Sequence, residues 1–323
     1  MTALATGTAR AVVRVHRTAL IVWAAFIVGA VAYLVWLNEV TAPDARAQAA
    51  TCKPDTGFCS AFLATRDYTE PMGWISTVVY YSFWAVAAWA GSALIGRELE
   101  NGTARLAWTQ GVSPARWLAT KLAVPALVLV LGGALFVPVF RWAWSANRDL
   151  MGDDWTFNDV FAARGPALVA WGLTALAIGA LTALLLRRSL PALGISVVVM
   201  IALNQYLEYH RDGLWPTVTR TSGKQFELSN SVWQVENGTV VGGHRVEGLD
   251  YTSCDGSPAE VKRCLDDMDI TGYYATYHPQ SHFWPMNLVE TGILLTIAAL
   301  ATTAAFLVLG HRTARTPRKE SLA

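Results

Sequence analysis

Charge is what this sequence has least of. Asp, Glu, Lys and Arg make up 15% of its 323 residues, against about 25% in a typical soluble domain. The shortage is local. Six stretches carry no charged side chain at all: Thr18–Asn38, Pro71–Gly96, Leu122–Phe140, Gly165–Leu186, Ser189–Leu207 and Thr291–Gly310. A helix needs about 20 apolar residues to cross the hydrocarbon layer. One soluble domain does not readily bury six such helices, so the expectation is an all-α polytopic membrane protein with six spans. "ARAQAA" after the first stretch looks like a cleavage site. That stretch is longer than the 7–15 apolar residues of a signal sequence, so it reads as a retained span.

Catalytic motifs are absent too. No GxxxxGK[ST] sequence occurs, and "TSGKQ" around Lys224 lacks both the upstream Gly and the Ser/Thr. ATP binding by a P-loop is therefore excluded. Neither HExxH nor GxSxG is present, which removes the common zinc-protease and esterase readings. The charge-free stretches hold no paired carboxylates, so the usual intramembrane proton relay lacks its parts. The chain is read as no enzyme, with no cofactor of its own and no nucleic-acid partner.

Cysteine is sparse and one-sided. Cys52 and Cys59 lie between spans one and two; Cys254 and Cys264 lie between spans five and six. Neither pair has the CxxC spacing of a zinc site. Four cysteines on one face suggest an oxidising exterior and two disulfides, with three connectivities open. Short separation favours Cys52–Cys59 and Cys254–Cys264.

The charges that remain are sorted by side. If the N-terminus is cytoplasmic, the inner segments are 1–17, 97–121, 187–188 and 311–323. They hold 13 of the 25 basic residues but only Glu98, Glu100 and Glu320 of the 24 acids. Short basic loops stay in the cytoplasm, so both termini are placed there. Arg10, Arg14 and Arg17 fit either a short helix on the membrane surface or an ordinary basic flank.

The outer segments are more varied. Glu39–Glu70 reads as a polar loop around a Cys52–Cys59 clip. Trp142, Trp144 and Trp155 suit a membrane–water interface. Spans four and five are joined only around Arg187 and Arg188, which demands a tight hairpin. Segment 208–290 reads as a small α+β lobe. In it, Asn237-Gly238 between Val-rich runs predicts a hairpin turn. That explains these residues better than the glycosylation pattern they also match. Ser257, Pro258 and Glu260 predict a capped helix whose Cys264 can reach Cys254. Tyr273, Tyr274, Tyr277, Phe283 and Trp284 read as an aromatic belt. His278 and His282 could join Glu290 at a metal, but Pro279 between them favours simple anchoring.

Polar groups at membrane depth are few. Asn204, Gln205 and Glu208 could line a translocation path; bonding between helices is favoured. Ala175, Gly179 and Ala183 form a small-residue ridge in span four, and Ala301 and Ala305 a shorter one in span six.

One inner segment stands out. "GRELENGTARLAWTQGVSPARW" (Gly96–Trp117) joins spans two and three. Arg97–Leu106 can be helical with a weak point at Gly102. Ser113 caps a second helix with Pro114 at its first position. The segment is amphipathic and placed to receive a partner.

Extended to "LATKLAV", the segment resembles the inner loop of permease subunits of bacterial ATP-binding-cassette (ABC) transporters, the six-span type-2 exporter class. The matching pattern is an acidic pair before Gly-Thr, then Ser-x-x-Arg and a Lys entering span three: Glu98, Glu100, Gly102, Thr103, Ser113, Arg116 and Lys121. "YHPQSHFWPMNLVETG" is similar to that family's entry to its last span. The resemblance implies a multi-pass protein of the bacterial cytoplasmic membrane, working as a dimer among membrane lipids. It also implies a coupling helix docked on a separate ATPase subunit that carries ATP and Mg²⁺. On that reading Glu98, Glu100, Arg105 and Arg116 make polar contacts with the ATPase, and Leu106 and Trp108 apolar ones. The expected organisation is residues 1–207 for five spans with coupling segment 96–121, 208–290 for the outer lobe, and 291–323 for the sixth span and basic tail. A different class of reading is a membrane-anchored receptor or assembly factor that binds a ligand in its outer lobe.

Overall fold

The computed structural model describes residues 13–51, 61–150, 155–229, 232–249 and 254–314. Six helical segments are long and apolar enough to cross a membrane, and each holds most or all of one charge-free stretch. The first is helix α1 (Arg17–Trp36), which passes through a wide π turn at Leu37–Thr41 into α2 (Ala42–Ala50). Then come α3 (Ala61–Glu100), the short α4 (Thr103–Thr109), α5 (Pro114–Ala146), the short α6 (Asn158–Ala163), α7 (Ala167–Leu186) and α8 (Ser189–His210). After the lobe, which contains α9 (Pro258–Asp267), α10 (Phe283–Ala314) is the sixth span.

The expected polar loop after span one is largely helix. Its Ala-rich sequence favours helix locally, and the helix end is anchored. The Arg46 guanidinium donates to both carboxylate oxygens of Asp149 at 2.7 and 2.8 Å and to Asn147 Oδ1 at 2.8 Å. Cys52 and Cys59 lie outside the described residues.

Helix α7 is the axis of the bundle and is buried along most of its length. Its ridge is used within the chain. A Cβ on Gly91 of α3 would lie 2.4 Å from the Leu176 carbonyl oxygen, and one on Gly179 would lie 2.7 Å from that of Ala88. The two glycines therefore let α3 and α7 touch backbone to backbone, where dispersion and close packing hold membrane helices together. Ser92, Thr182 and Ser196 join α3, α7 and α8 through hydroxyl contacts of 3.4 and 2.7 Å. Arg187 takes the left-handed conformation (φ 56°) that closes the α7–α8 hairpin.

The lobe is built on one antiparallel sheet with strand order β1-β4-β2-β3, from β1 (Val218–Ser222), β2 (Trp233–Val241), β3 (His244–Glu247) and β4 (Ile270–His278). The turn expected at Asn237-Gly238 is not there. Both residues lie inside β2, and the chain reverses at Gly242-Gly243, with φ of 54° and 83°. Two consecutive positive-φ residues are what a tight hairpin needs. Gly238 instead makes room for its neighbours. A Cβ there would strike the Val246 carbonyl oxygen at 2.3 Å and the Tyr274 ring at 2.8 Å.

Helix α9 starts as expected. Glu260 Oε2 accepts from both Ser257 N and Ser257 Oγ at 2.7 Å. Those bonds hold the Glu260 carboxyl below its usual pKa. Cys254 and Cys264 are bonded, with Cα atoms 5.6 Å apart.

Several groups expected at the interface are interior instead. Trp142 is exposed, but Trp144 and Trp155 are buried. Trp155 is enclosed edge-on by Trp233 and Phe283, because the segment after α5 folds back over the bundle end. Phe283 and Tyr274 of the expected belt are also buried, while Trp284 stays exposed under the Arg141 guanidinium.

Candidate functional site

The segment between α3 and α5 is built around two left-handed glycines. Gly102 (φ 73°) ends α3 and begins α4; Gly111 (φ 90°) precedes α5. Only glycine takes such backbone angles without a Cβ penalty. Helix α4 is thus a short rigid piece between two permissive joints. Ser113 caps α5, its Oγ accepting from Arg116 N at 3.4 Å, with Pro114 behind it.

The acidic pair is turned toward its own chain. Glu98 Oε1 meets Lys121 Nζ at 2.5 Å, and Glu98 Oε2 accepts from Trp117 Nε1 at 2.7 Å. Lys121 is nearly buried and Glu98 about one-third exposed. The carboxylate therefore ties the end of α3 to the first turns of α5. Glu100 Oε2 accepts from Ser189 N at 3.3 Å and Ser189 Oγ at 3.1 Å. It occupies the N-terminus of α8, where the backbone N–H groups are open and the helix dipole favours an anion. Gly96 makes this approach possible, since a Cβ there would sit 2.7 Å from Ser189 Cα. Trp117, Lys121 and Ser189 are the partners that explain the two acids. Lys121 is legible in the sequence as part of the motif; Ser189, 89 residues from Glu100, is not.

The remaining motif residues divide by face. Ala104 is fully buried against Ile95, Trp117, Leu118, Leu184 and Leu309. Trp108 is half-buried, edge-on to Trp117 at 5.7 Å. Arg105 and Leu106 are exposed, Leu106 by 59%. Thr103 Oγ1 donates to the Glu98 carbonyl at 3.4 Å. Arg116 is half-buried at the start of α5. Of the four charged residues expected to face a partner, Arg105 and Glu100 are exposed, Glu100 while bonded to Ser189.

At the other end of the bundle, Asn204 is buried and its Oδ1 accepts from the Tyr80 hydroxyl, joining α8 to α3. Gln205 and Glu208 lie on the exposed side of α8. One centre here pairs Glu290, which the sequence offers only as a possible metal ligand, with Arg211, which the sequence does not mark. Arg211 and Glu290 are both buried, with Arg211 Nε 2.8 Å from Glu290 Oε2. Trp171 Nε1 donates to Glu290 Oε1 at 3.0 Å, Arg211 also reaches Asn158 Oδ1, and its guanidinium lies 4.4 Å over the Phe161 ring. Together they join α6, α7, the end of α8 and α10. Glu290 is thereby removed from the histidines.

His278 Nε2 lies 2.9 Å from the Asp212 carbonyl, and its Nδ1 lies 3.1 Å from His282 Nδ1. A carbonyl only accepts, so Nε2 carries the proton and Nδ1 accepts from His282. Burial holds the His278 pKa below its ordinary 6.5. Among the described residues, no cluster of three or more His, Cys, Asp or Glu could hold a metal.

No curated protein and no solved structure matches the chain. A family model does, and it covers most of the first span, spans two to four, nearly all of span five and the whole Gly96–Trp117 segment. It is the model described as ABC-2 membrane transporter related, matched over residues 24–211. More than half of the sequence is covered, and the chain, a multi-pass membrane protein, belongs to that family.

Proposed function

We propose that the protein is the permease subunit of an ATP-driven exporter, and that Gly96–Trp117 couples it to a separate ATPase subunit. One observation carries the reading. The end of α3 is tied to α5 by Glu98 and to α8 by Glu100, and α4 packs on the same region through Ala104 and Trp108, while Arg105 and Leu106 face outward between two glycine joints. A surface helix fixed in this way passes a push into the spans. A loose loop would absorb it.

The packing suggests where the push goes. Helix α3 touches α7 through Gly91 and Gly179, so the two move as one body. Rocking that body against α1 and α5 would alternate access to a path between two copies of the permease. Gln205 and Glu208, on the outward side of α8, are the polar groups proposed to face that path. ATP and Mg²⁺ bind the partner subunit, both termini lie in the cytoplasm, and the lobe lies outside.

The receptor reading finds support in the lobe. A cavity of about 580 Å³ opens on its sheet beside Gln234, Thr239 and Tyr273. Co-purification from native membranes separates the two. The permease reading expects an ATPase to accompany the chain, and to be lost in Arg105→Glu with Leu106→Asp while expression holds. Recovery of the chain without any ATPase would overturn it.

A further inference from the structure

A second cavity opens at the end of the bundle that bears α4. It has a volume of about 470 Å³ and lies between α4, the end of α7 and the end of α10. Its charge is lopsided. Arg105, Arg187 and Arg312 line it, from three separate elements. The one lining carboxylate is Glu98, already neutralised by Lys121 at 2.5 Å. Thr109 and Thr313 line it too, with their hydroxyl protons given to the Leu106 and Leu309 carbonyls. Three guanidinium groups from separate elements around one space call for an anion with several oxygens.

The surroundings say what carries that anion. Arg187 follows the last residue of span α7, and Arg312 lies in the last turn of α10, donating to the Leu184 and Leu185 carbonyls. The cavity therefore sits where two spans leave the apolar layer. Leu185 and Leu186, just before Arg187 in α7, and Leu307, one turn and a half before Arg312 in α10, are exposed. A soluble anion or an acidic protein side chain has no use for that apolar strip. An acyl chain does. Basic pockets between spans on the cytoplasmic side are suited to anionic headgroups.

We propose that this cavity binds the phosphate headgroup of an anionic lipid of the inner leaflet, with its chains lying along Leu185, Leu186 and Leu307. The proposal rests on the topology given under the proposed function, but not on coupling to an ATPase. The lipid would lie against the inner side of α4 and brace it from the membrane side, while Arg105 and Leu106 remain at the surface.

Native mass spectrometry of the purified permease tests this with phosphatidylglycerol and phosphatidylcholine of identical chains. Phosphatidylglycerol should bind more tightly. Each arginine near the headgroup contributes about a factor of five in affinity, so Arg187→Gly should weaken phosphatidylglycerol roughly fivefold. Phosphatidylcholine binding should not change. Glycine suits the left-handed position 187, so this variant keeps its fold, which an unchanged thermal midpoint verifies. Lys224→Gln with Arg263→Gln, in the lobe, should have no effect on lipid. Equal binding of the two lipids, or undiminished phosphatidylglycerol preference in the variant, would sink the proposal. So would displacement of the lipid by soluble glycerol phosphate at equal concentration. ATPase association, measured on the same preparations, reports on the functional reading independently.

Discussion

The two ends of the bundle are fastened by different physics. At the lobe end, Arg211 and Glu290 are fully enclosed and bonded to partners from several elements, and a disulfide clips the helix of the lobe. At the α4 end, the corresponding ion pair of Glu98 and Lys121 is partly open to solvent, and glycines sit on both sides of the short helix. A buried ion pair tolerates no loss of a partner, because the survivor stays uncompensated in a medium that cannot solvate it. A pair whose carboxylate is partly exposed can open on that side and be hydrated. The lobe end is thus a fixed point, and the α4 end is the place where a braced segment can still shift.

The sharpest break of that contrast is Glu290→Ala. It strands Arg211 and should destabilise the bundle by about 3–5 kcal/mol, read as a large loss of folded protein in detergent. Arg211→Met with Glu290→Leu should recover much of it, since the cost comes from the orphaned charge. If Glu290→Ala were as stable as the parent, the lobe end would not be the fixed point.

Next in size is Cys254→Ala with Cys264→Ala. The bridge closes a separation of 10 residues, and a loop of that size is worth roughly 2.5–3 kcal/mol. The loss should be confined to the lobe. Limited proteolysis should cut there first, while the spans stay intact. Equal protease resistance before and after the change would mean that the sheet holds α9 without the bridge.

The α4 end should respond in function more than in stability. Gly102→Ala forces a Cβ into φ 73°, at a cost of about 1 kcal/mol. Glu98→Ala releases Lys121 and Trp117, costing on the order of 1–2 kcal/mol. Both variants should fold. Both should lower ATPase association or transport-stimulated ATP hydrolysis by more than tenfold, since each misplaces α4. Wild-type stimulation in both would mean that the bracing does not serve coupling.

What the sequence makes legible is what is local. The six spans, the Ser257 cap and the Ser113 cap each depend on residues within one element, and composition or spacing reveals them. No hairpin turns at Asn237-Gly238, because Gly242-Gly243 is a stronger turn five residues on and Gly238 is needed for the Tyr274 ring. Trp144 and Trp155 leave the interface because burial is decided by which segments fold over them. Arg211 and Glu290 are separated by 79 residues, and nothing local marks either as the other's partner. The acidic pair is marked by its motif, yet its inward orientation depends on Ser189 in a different hairpin.

The smallest effect is a pH dependence of the lobe junction. His278 is buried between Asp212, at the end of span five, and His282, at the start of span six. Its Nε2 proton is committed to the Asp212 carbonyl, and its Nδ1 accepts from His282. A second proton on His278 must go to Nδ1. His282 would then have to shift its own proton to Nε2, and the pair would carry charge in a buried place. Burial is the main reason that the His278 pKa lies below 6.5; the neighbouring His282 pushes the same way, while the Asp212 contact and charge oppose it. The unfolded lobe therefore binds more protons than the folded one as pH falls below about 6.5, so stability drops with falling pH. It is fully present above that value and is lost as pH passes down through the folded pKa. The lobe's thermal midpoint should fall modestly between pH 7 and pH 5. His278→Gln keeps a donor for Asp212 but cannot titrate, so its midpoint should be flatter over the same range. An identical slope in that variant would place the pH response elsewhere and leave the lobe end insensitive to protons at this junction.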